Sequence, residues 1–230
     1  MKTLLLFLGL LSPALFVACG DDAKTKESVA ATPAPVASPA ETLPKIVAFG
    51  DSLTAGYGLA SPRQSYPAVL QQLLEADGYK YEVVNAGVSG DTSAGGLRRL
   101  DWTLDAGNVR FVILELGAND FLRGQPVAET RKNLSAMIER AKGRGARVLL
   151  AGMYTTTNAG RAYLREIDEV FKSLAREHDV PLIPFFLEGV AGRPELNLED
   201  GVHPNAEGTK LVAATVYRHL KPMLDEEQTR

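Results

Sequence analysis

Ser52 stands in the stretch GDSLTAGYG, residues 50–58, between the apolar run Ile46-Val47-Ala48-Phe49 and an amphipathic helix that starts near Pro67. A serine at a strand-to-helix turn presents its hydroxyl at a sheet edge, where an attacking oxygen must stand. A hydroxyl is a weak nucleophile until a base takes its proton. The chain has three histidines. His178 ends a helical pattern, where a cation complements the helix dipole, and reads as a surface residue. His219 lies beside the apolar stripe of the last helix and reads as a packing or surface residue. His203 differs, because it falls three residues after Asp200 and directly before Pro204, which biases it toward extended backbone. A carboxylate that close can accept the imidazole Nδ1–H and leave Nε2 free for the serine proton. Taken alone, the same spacing also describes a local turn capped by an aspartate.

Acyl transfer through Ser52 also needs donors for an oxyanion, each worth on the order of 10²–10³ in rate. The candidates are the backbone N–H of Ser52, that of Gly90 in NAGVSGDT (85–92), and the side-chain amide of Asn119 in GAND (117–120). Plain alternatives are a tight turn at Gly90 and a turn-forming Asn119-Asp120 pair. Ser89 lacks the full G-x-S-x-G frame and is set aside in favour of Ser52. Asp51 reads as a hydrogen-bond acceptor at the turn. Residues 50–58 hold neither G-x-G-x-x-G nor a Gly-Lys-Ser/Thr phosphate loop, and no His or carboxylate spacing suggests a metal, so no cofactor is expected.

These residues must be positioned by the runs that flank them. Strands are expected at Ile46–Phe49, Glu82–Asn85, Phe111–Leu116, Arg147–Ala151 and Leu182–Phe185. Helical spacing recurs between them, at Tyr66/Val69/Leu70/Leu73/Leu74, Leu134/Met137/Ile138/Ala141 and Leu164/Ile167/Phe171/Leu174. A weaker helix covers Ala94–Leu104, and a last one follows Pro204. This alternation predicts an α/β three-layer sandwich with a five-stranded parallel doubly wound sheet, in the flavodoxin-like order 2-1-3-4-5. Ser52, Gly90, Asn119 and the Asp200/His203 pair then all follow strands at one carboxyl edge, where ligands of such folds bind.

Both ends of the 230-residue chain read differently from this domain. Met1-Lys2 and the apolar Thr3–Val17 form a leader too short for a comfortable membrane span. It runs into Val17-Ala18-Cys19-Gly20, similar to a bacterial lipoprotein cleavage box, and Cys19 is the sole cysteine. The division expected is a leader over 1–19 with Cys19 lipidated, an Ala/Pro-rich tether over 20–43, a domain over 44–224 and a frayed tail over 225–230. Extended, the tether reaches at most roughly 80 Å, so the exported domain would work near a membrane, the outer membrane being favoured because Asp does not follow Cys19. A net charge of −3 without a basic block argues against nucleic acid as a partner. A monomer is expected.

Taken together, GDSL, NAGVSGDT, GAND and DGVHPN resemble the four blocks of the SGNH (GDSL-type) hydrolases over residues 46–205. NAGVSGDTSAGGLRRL and PLIPFFLEGV are most similar to the branch of bacterial arylesterases, acyl thioesterases and lysophospholipases. The resemblance implies Ser52, Asp200 and His203 as catalytic residues, and Ser52, Gly90 and Asn119 as the oxyanion hole. It implies a small-molecule ester, thioester or lysophospholipid as substrate. Phe121 follows GAND where the branch commonly has Gly, so its bulk is expected at the site mouth, favouring short acyl groups or aromatic esters. Met153 and Tyr154, in the loop 153–160 beyond strand four, are expected to bind substrate as well. Rival readings are a carbohydrate acetyl esterase on the same triad and a silent binding lipoprotein. Activity is expected to fail below the range in which an imidazole of pKa ~6.5 is neutral.

Overall fold

β1 (Lys45–Gly50) is the strand around which the sheet is built, and Ile46 to Phe49 are each fully buried. An unbroken apolar run is what a strand covered on both faces requires. β2 (Glu82–Gly87) pairs parallel on one side of β1, with Phe49 opposite Ala86. On the other side lies β3 (Val109–Glu115), whose Glu115 falls opposite Gly50. β4 (Arg147–Ala151) and β5 (Leu182–Ile183) complete the five-stranded parallel sheet in the order β2-β1-β3-β4-β5. The expected architecture and strand order are those observed. The protein is described here by a computed structural model covering residues 42–154 and 160–229. The leader with Cys19, nearly all of the tether, and positions 155–159 of the loop beyond β4 lie outside the described residues.

Seven α-helices are present among the described residues. α1 (Ser52–Ala55) and α4 (Ala118–Leu122) are single turns at the carboxyl edge of the sheet, too short to leave a periodic trace in the sequence. α2 (Tyr66–Ala76) and α7 (Ala206–Gln228) pack on each other, whereas α3 (Ser93–Leu104), α5 (Val127–Gly143) and α6 (Arg161–His178) pack side by side. Right-handed crossovers put these two groups on opposite faces of the sheet.

Several boundaries differ from expectation, β2 running on to Gly87 and β3 beginning at Val109. β5 stops at Ile183 rather than reaching Phe185, because Pro184 has no N–H to donate and Phe185 already opens a turn closed by the Glu188 N–H. The tail is not frayed from 225 onward. α7 continues to Gln228, held where Arg147 donates to the Met223 carbonyl and pairs with Glu226, and where the Tyr79 hydroxyl bonds Asp225.

Candidate active site

Ser52 opens α1, and Asp51 caps that turn by accepting the Leu53 N–H at 3.0 Å. Capping is done by the neighbour, so the serine side chain is left free. His203 reaches it from the far end of the chain. Residues 196–198 and 203–205 lie antiparallel, with the Leu198 N–H on the His203 carbonyl (2.7 Å) and the Asn205 N–H on the Leu196 carbonyl (2.9 Å). Asn205 then caps α7 by accepting the Glu207 and Gly208 N–H groups. The turn between those two short segments carries Asp200, whose Oδ1 accepts the Val202 and His203 N–H groups at 2.9 Å each.

In this setting the imidazole bridges two groups. His203 Nδ1 lies 2.7 Å from Asp200 Oδ2, and Nε2 lies 2.9 Å from Ser52 Oγ. The bonds from the His203 backbone N–H, its ring and the Val202 N–H hold the Asp200 carboxyl down at about 2. It is therefore ionised wherever an imidazole can act as a base, and an acceptor-only oxygen facing Nδ1 fixes the tautomer that leaves Nε2 to accept a proton. The Tyr57 ring lies 4.7 Å from the imidazole, tilted by 44°, and shields one side of it.

Asn119 joins the turn that carries Ser52 to the loop that carries Gly90. Its Nδ2 donates to Asp51 Oδ2 at 2.8 Å and to the Asp91 carbonyl at 3.0 Å. Gly90, next to Asp91, has a left-handed φ of +79°, a conformation that suits glycine and turns this backbone toward the edge. Its carbonyl accepts from Arg123 at 2.9 Å. The next residue after Asn119, Asp120, is buried and fixes the loop by accepting the Ser93 N–H (2.8 Å) and hydroxyl (2.5 Å). In the oxyanion-donor role that the family resemblance implies for Asn119, Asn119→Ala is expected to lower kcat by on the order of 10²–10³ with KM little changed, because such a donor acts mainly in the transition state. Steady-state kinetics on a p-nitrophenyl ester check this; a rise in KM alone would assign Asn119 to ground-state binding.

Several expected site residues fall elsewhere. Phe121 does not narrow the mouth. It is 1% exposed, packed edge-on against Phe171, because on this single turn of α4 the inward position falls to 121 and the outward one to Leu122, 59% exposed. Met153 is also buried in the core, and only Tyr154 of the three expected substrate contacts stands at the surface, against Phe185. His178 is not a plain surface residue, since its Nε2 bonds Ser135 Oγ at 2.8 Å between α6 and α5. His219 bonds the Thr215 carbonyl in its own helix. Ser89 is exposed, and no histidine bonds it among the described residues.

Two supporting residues carried only faint sequence signals. Arg99 donates from Nη1 to the Ala86 carbonyl and from Nη2 to the Gly50 carbonyl, both at 2.8 Å, pairs with Asp91 at 2.7 Å, and lies 3.9 Å over the Phe49 ring. It thus ties the ends of β1 and β2 to the Gly90 loop. Glu115, the single charge ending the run Phe111–Leu114, is wholly buried beneath the Ser52 turn. Such a charge closing an apolar run is the faint signal that the sequence carries for it.

Comparison with known proteins identifies the family and the fold. The pattern of the GDSL-like Lipase/Acylhydrolase family matches residues 48–211. The chain is 41% identical over 179 residues to esterase TesA of Pseudomonas aeruginosa, covering 78% of this chain and 89% of that one. To the thioesterase 1/protease 1/lysophospholipase L1 of Escherichia coli it is 37% identical over 191 residues, covering 83% and 88%. A crystal structure of TesA superposes with a TM-score of 0.74 at 40% identity, over 78% of this chain and 99% of that one.

Proposed function

Since the chain belongs to the GDSL-like lipase/acylhydrolase family, we propose that Ser52, His203 and Asp200 cleave its substrate through an acyl-enzyme. The chain is a carboxylic ester hydrolase. The observation that carries the mechanism is the continuous hydrogen-bonded path Asp200–His203–Ser52, at 2.7 and 2.9 Å. His203 Nε2 takes the Ser52 proton as Oγ attacks the carbonyl carbon. The oxygen that becomes negative is received by the N–H groups of Ser52 and Gly90 and by the Asn119 amide, one of whose two hydrogens turns to it from Asp51 or the Asp91 carbonyl. The imidazolium, stabilised by Asp200, returns its proton to the departing alcohol or thiol as the carbon–oxygen or carbon–sulfur bond breaks. Water then repeats the sequence on the acyl-enzyme, releasing the acid and restoring the Ser52 hydroxyl.

For substrate, we place this chain with small esters, thioesters and lysophospholipids. Exposed apolar side chains on the α4 turn and the loops beyond the strands, Leu122, Tyr57, Val88, Tyr154 and Val202, offer contacts to an acyl or aryl group. With Phe121 and Met153 turned into the core, these outward residues take over the proposed specificity role. The chain is expected to turn over p-nitrophenyl butyrate and aryl esters with higher kcat/KM than an acetylated oligosaccharide. A panel of acyl lengths run against that sugar decides it, and activity confined to the sugar acetate would overturn this choice.

Export with lipid attachment at Cys19 is part of the same proposal and rests on residues 1–20 of the sequence. The intact mass of the mature protein from its own host should show acylated Cys19 as the first residue; an unmodified Cys19, or retention of Met1, would rule it out.

A further inference from the structure

Beneath the nucleophile turn lies a buried acid that the mechanism above does not use. Glu115 is 0% exposed, and one of its oxygens, Oε2, receives two bonds, from the Asp51 N–H at 3.2 Å and from the Thr54 hydroxyl at 2.7 Å. Those two residues bracket Ser52 on either side. The strand register places Glu115 opposite Gly50, and a Cβ at position 50 would lie 2.3 Å from Glu115 Oε2 and 2.1 Å from Thr54 Oγ1. The contact therefore occupies the space that a side chain before Asp51 would need. Its other oxygen, Oε1, is buried without a partner, as is the Tyr66 hydroxyl.

We propose that Glu115 is a positioning residue for Ser52, clamping the backbone before it and the turn after it so that Oγ stays in line with His203 Nε2. This deepens the reading of Ser52 as nucleophile and rests on it. The clamp needs an acceptor at Oε2 and nothing charged at Oε1. The titratable groups that face it are Asp51 from the turn and Tyr66 from α2. Burial first, and the neighbouring Asp51 next, push the Glu115 carboxyl well above the ordinary carboxylate range. Glutamine keeps the acceptor and the shape: its carbonyl oxygen takes the two bonds and its NH2 stands in the place of Oε1.

A misplaced nucleophile loses rate on the order of 10²-fold for displacements near 1 Å. Glu115→Ala is therefore expected to lower kcat by about that factor while KM holds, since Glu115 reaches no substrate. Glu115→Gln should restore near-wild-type kcat with a superimposable pH profile. Thr54→Val removes one arm of the clamp without changing shape and should lower kcat alone, which keeps the question open to test if Glu115→Ala does not fold. Wild-type kcat in Glu115→Ala or in Thr54→Val would overturn the proposal. So would a Glu115→Gln enzyme as slow as the alanine variant, or one with a shifted pH profile, because charge rather than the clamp would then matter. Ser52→Ala runs alongside: if it keeps activity, the nucleophile is wrong, whereas if it is dead and Glu115→Ala is unimpaired, the clamp alone fails.

Discussion

Ser52→Ala is expected to lower kcat for p-nitrophenyl butyrate by on the order of 10⁴-fold or more, the scale on which serine-triad enzymes lose rate without the nucleophile. No other described residue can replace it, since His203 Nε2 has Ser52 Oγ as its hydrogen-bond partner and Ser89 bonds to no histidine. The fold should be untouched. Asp51, not Ser52, caps α1, and the backbone bonds from Gly56 and Tyr57 to the Ser52 carbonyl do not involve the lost hydroxyl. Kinetics and a thermal melt on the same preparation check both halves. A wild-type rate would remove Ser52 from the mechanism, and a collapsed melt would make the loss uninterpretable as chemistry.

Asp200→Asn is expected to cost nearly as much, roughly 10³–10⁴-fold in kcat with KM close to wild type. The asparagine keeps an oxygen for the Val202 and His203 N–H groups, so the turn survives. Its NH2 then faces Nδ1 and favours the tautomer with the proton on Nε2, which cannot accept from Ser52. The pH dependence follows from the same site. Asp200, lowered from 3.8 to about 2, contributes stability that is full above its unfolded value and is lost as pH falls through about 2. It is therefore not the group that switches activity off in mild acid. Asp51 works in the opposite sense. Burial raises it to about 6, so the folded protein takes up that proton more readily than the unfolded chain, and stability gains as pH falls from about 6 toward 3.8. The same protonation weakens the carboxylate that holds the Asn119 amide. Below about pH 6, activity should then fall while stability, in respect of Asp51, rises; a profile of kcat/KM and of melting temperature over pH 4–8 separates the two.

Much of this site was legible before any coordinates, for a specific reason. The motifs of Ser52, Gly90 and Asn119 are short polar loops that follow β1, β2 and β3, and parallel topology sends such loops to one edge. Asp200 and His203, by contrast, come well after β5 ends at Ile183 and are brought there by the pairing of residues 196–198 with 203–205. What stayed hidden is what such patterns do not encode. Phe121 and Leu122 are adjacent and both bulky, yet a single helical turn sends one inward and the other out, and a helix of five residues gives no periodicity to predict it. Glu115 lies inside the expected strand Phe111–Leu116 with nothing local to mark its role, because only the register that sets it beside Gly50 buries it under the Ser52 turn. Asn119 was expected as a free donor, whereas at rest its amide is shared between Asp51 and the Asp91 carbonyl. Long-range pairing decides such partnerships, and no local spacing reports it. The continuation of α7 to Gln228 has the same origin, in contacts from Arg147 and Tyr79 far back in the chain.

The most direct measurement is the site of covalent capture by a fluorophosphonate, read by peptide mass spectrometry on the wild-type chain and on His203→Ala. A single adduct on Ser52, forming quickly in the wild type and far more slowly without the imidazole, is the predicted result. An adduct on Ser89 or another hydroxyl, or undiminished ester turnover with Ser52 unlabelled, would contradict it.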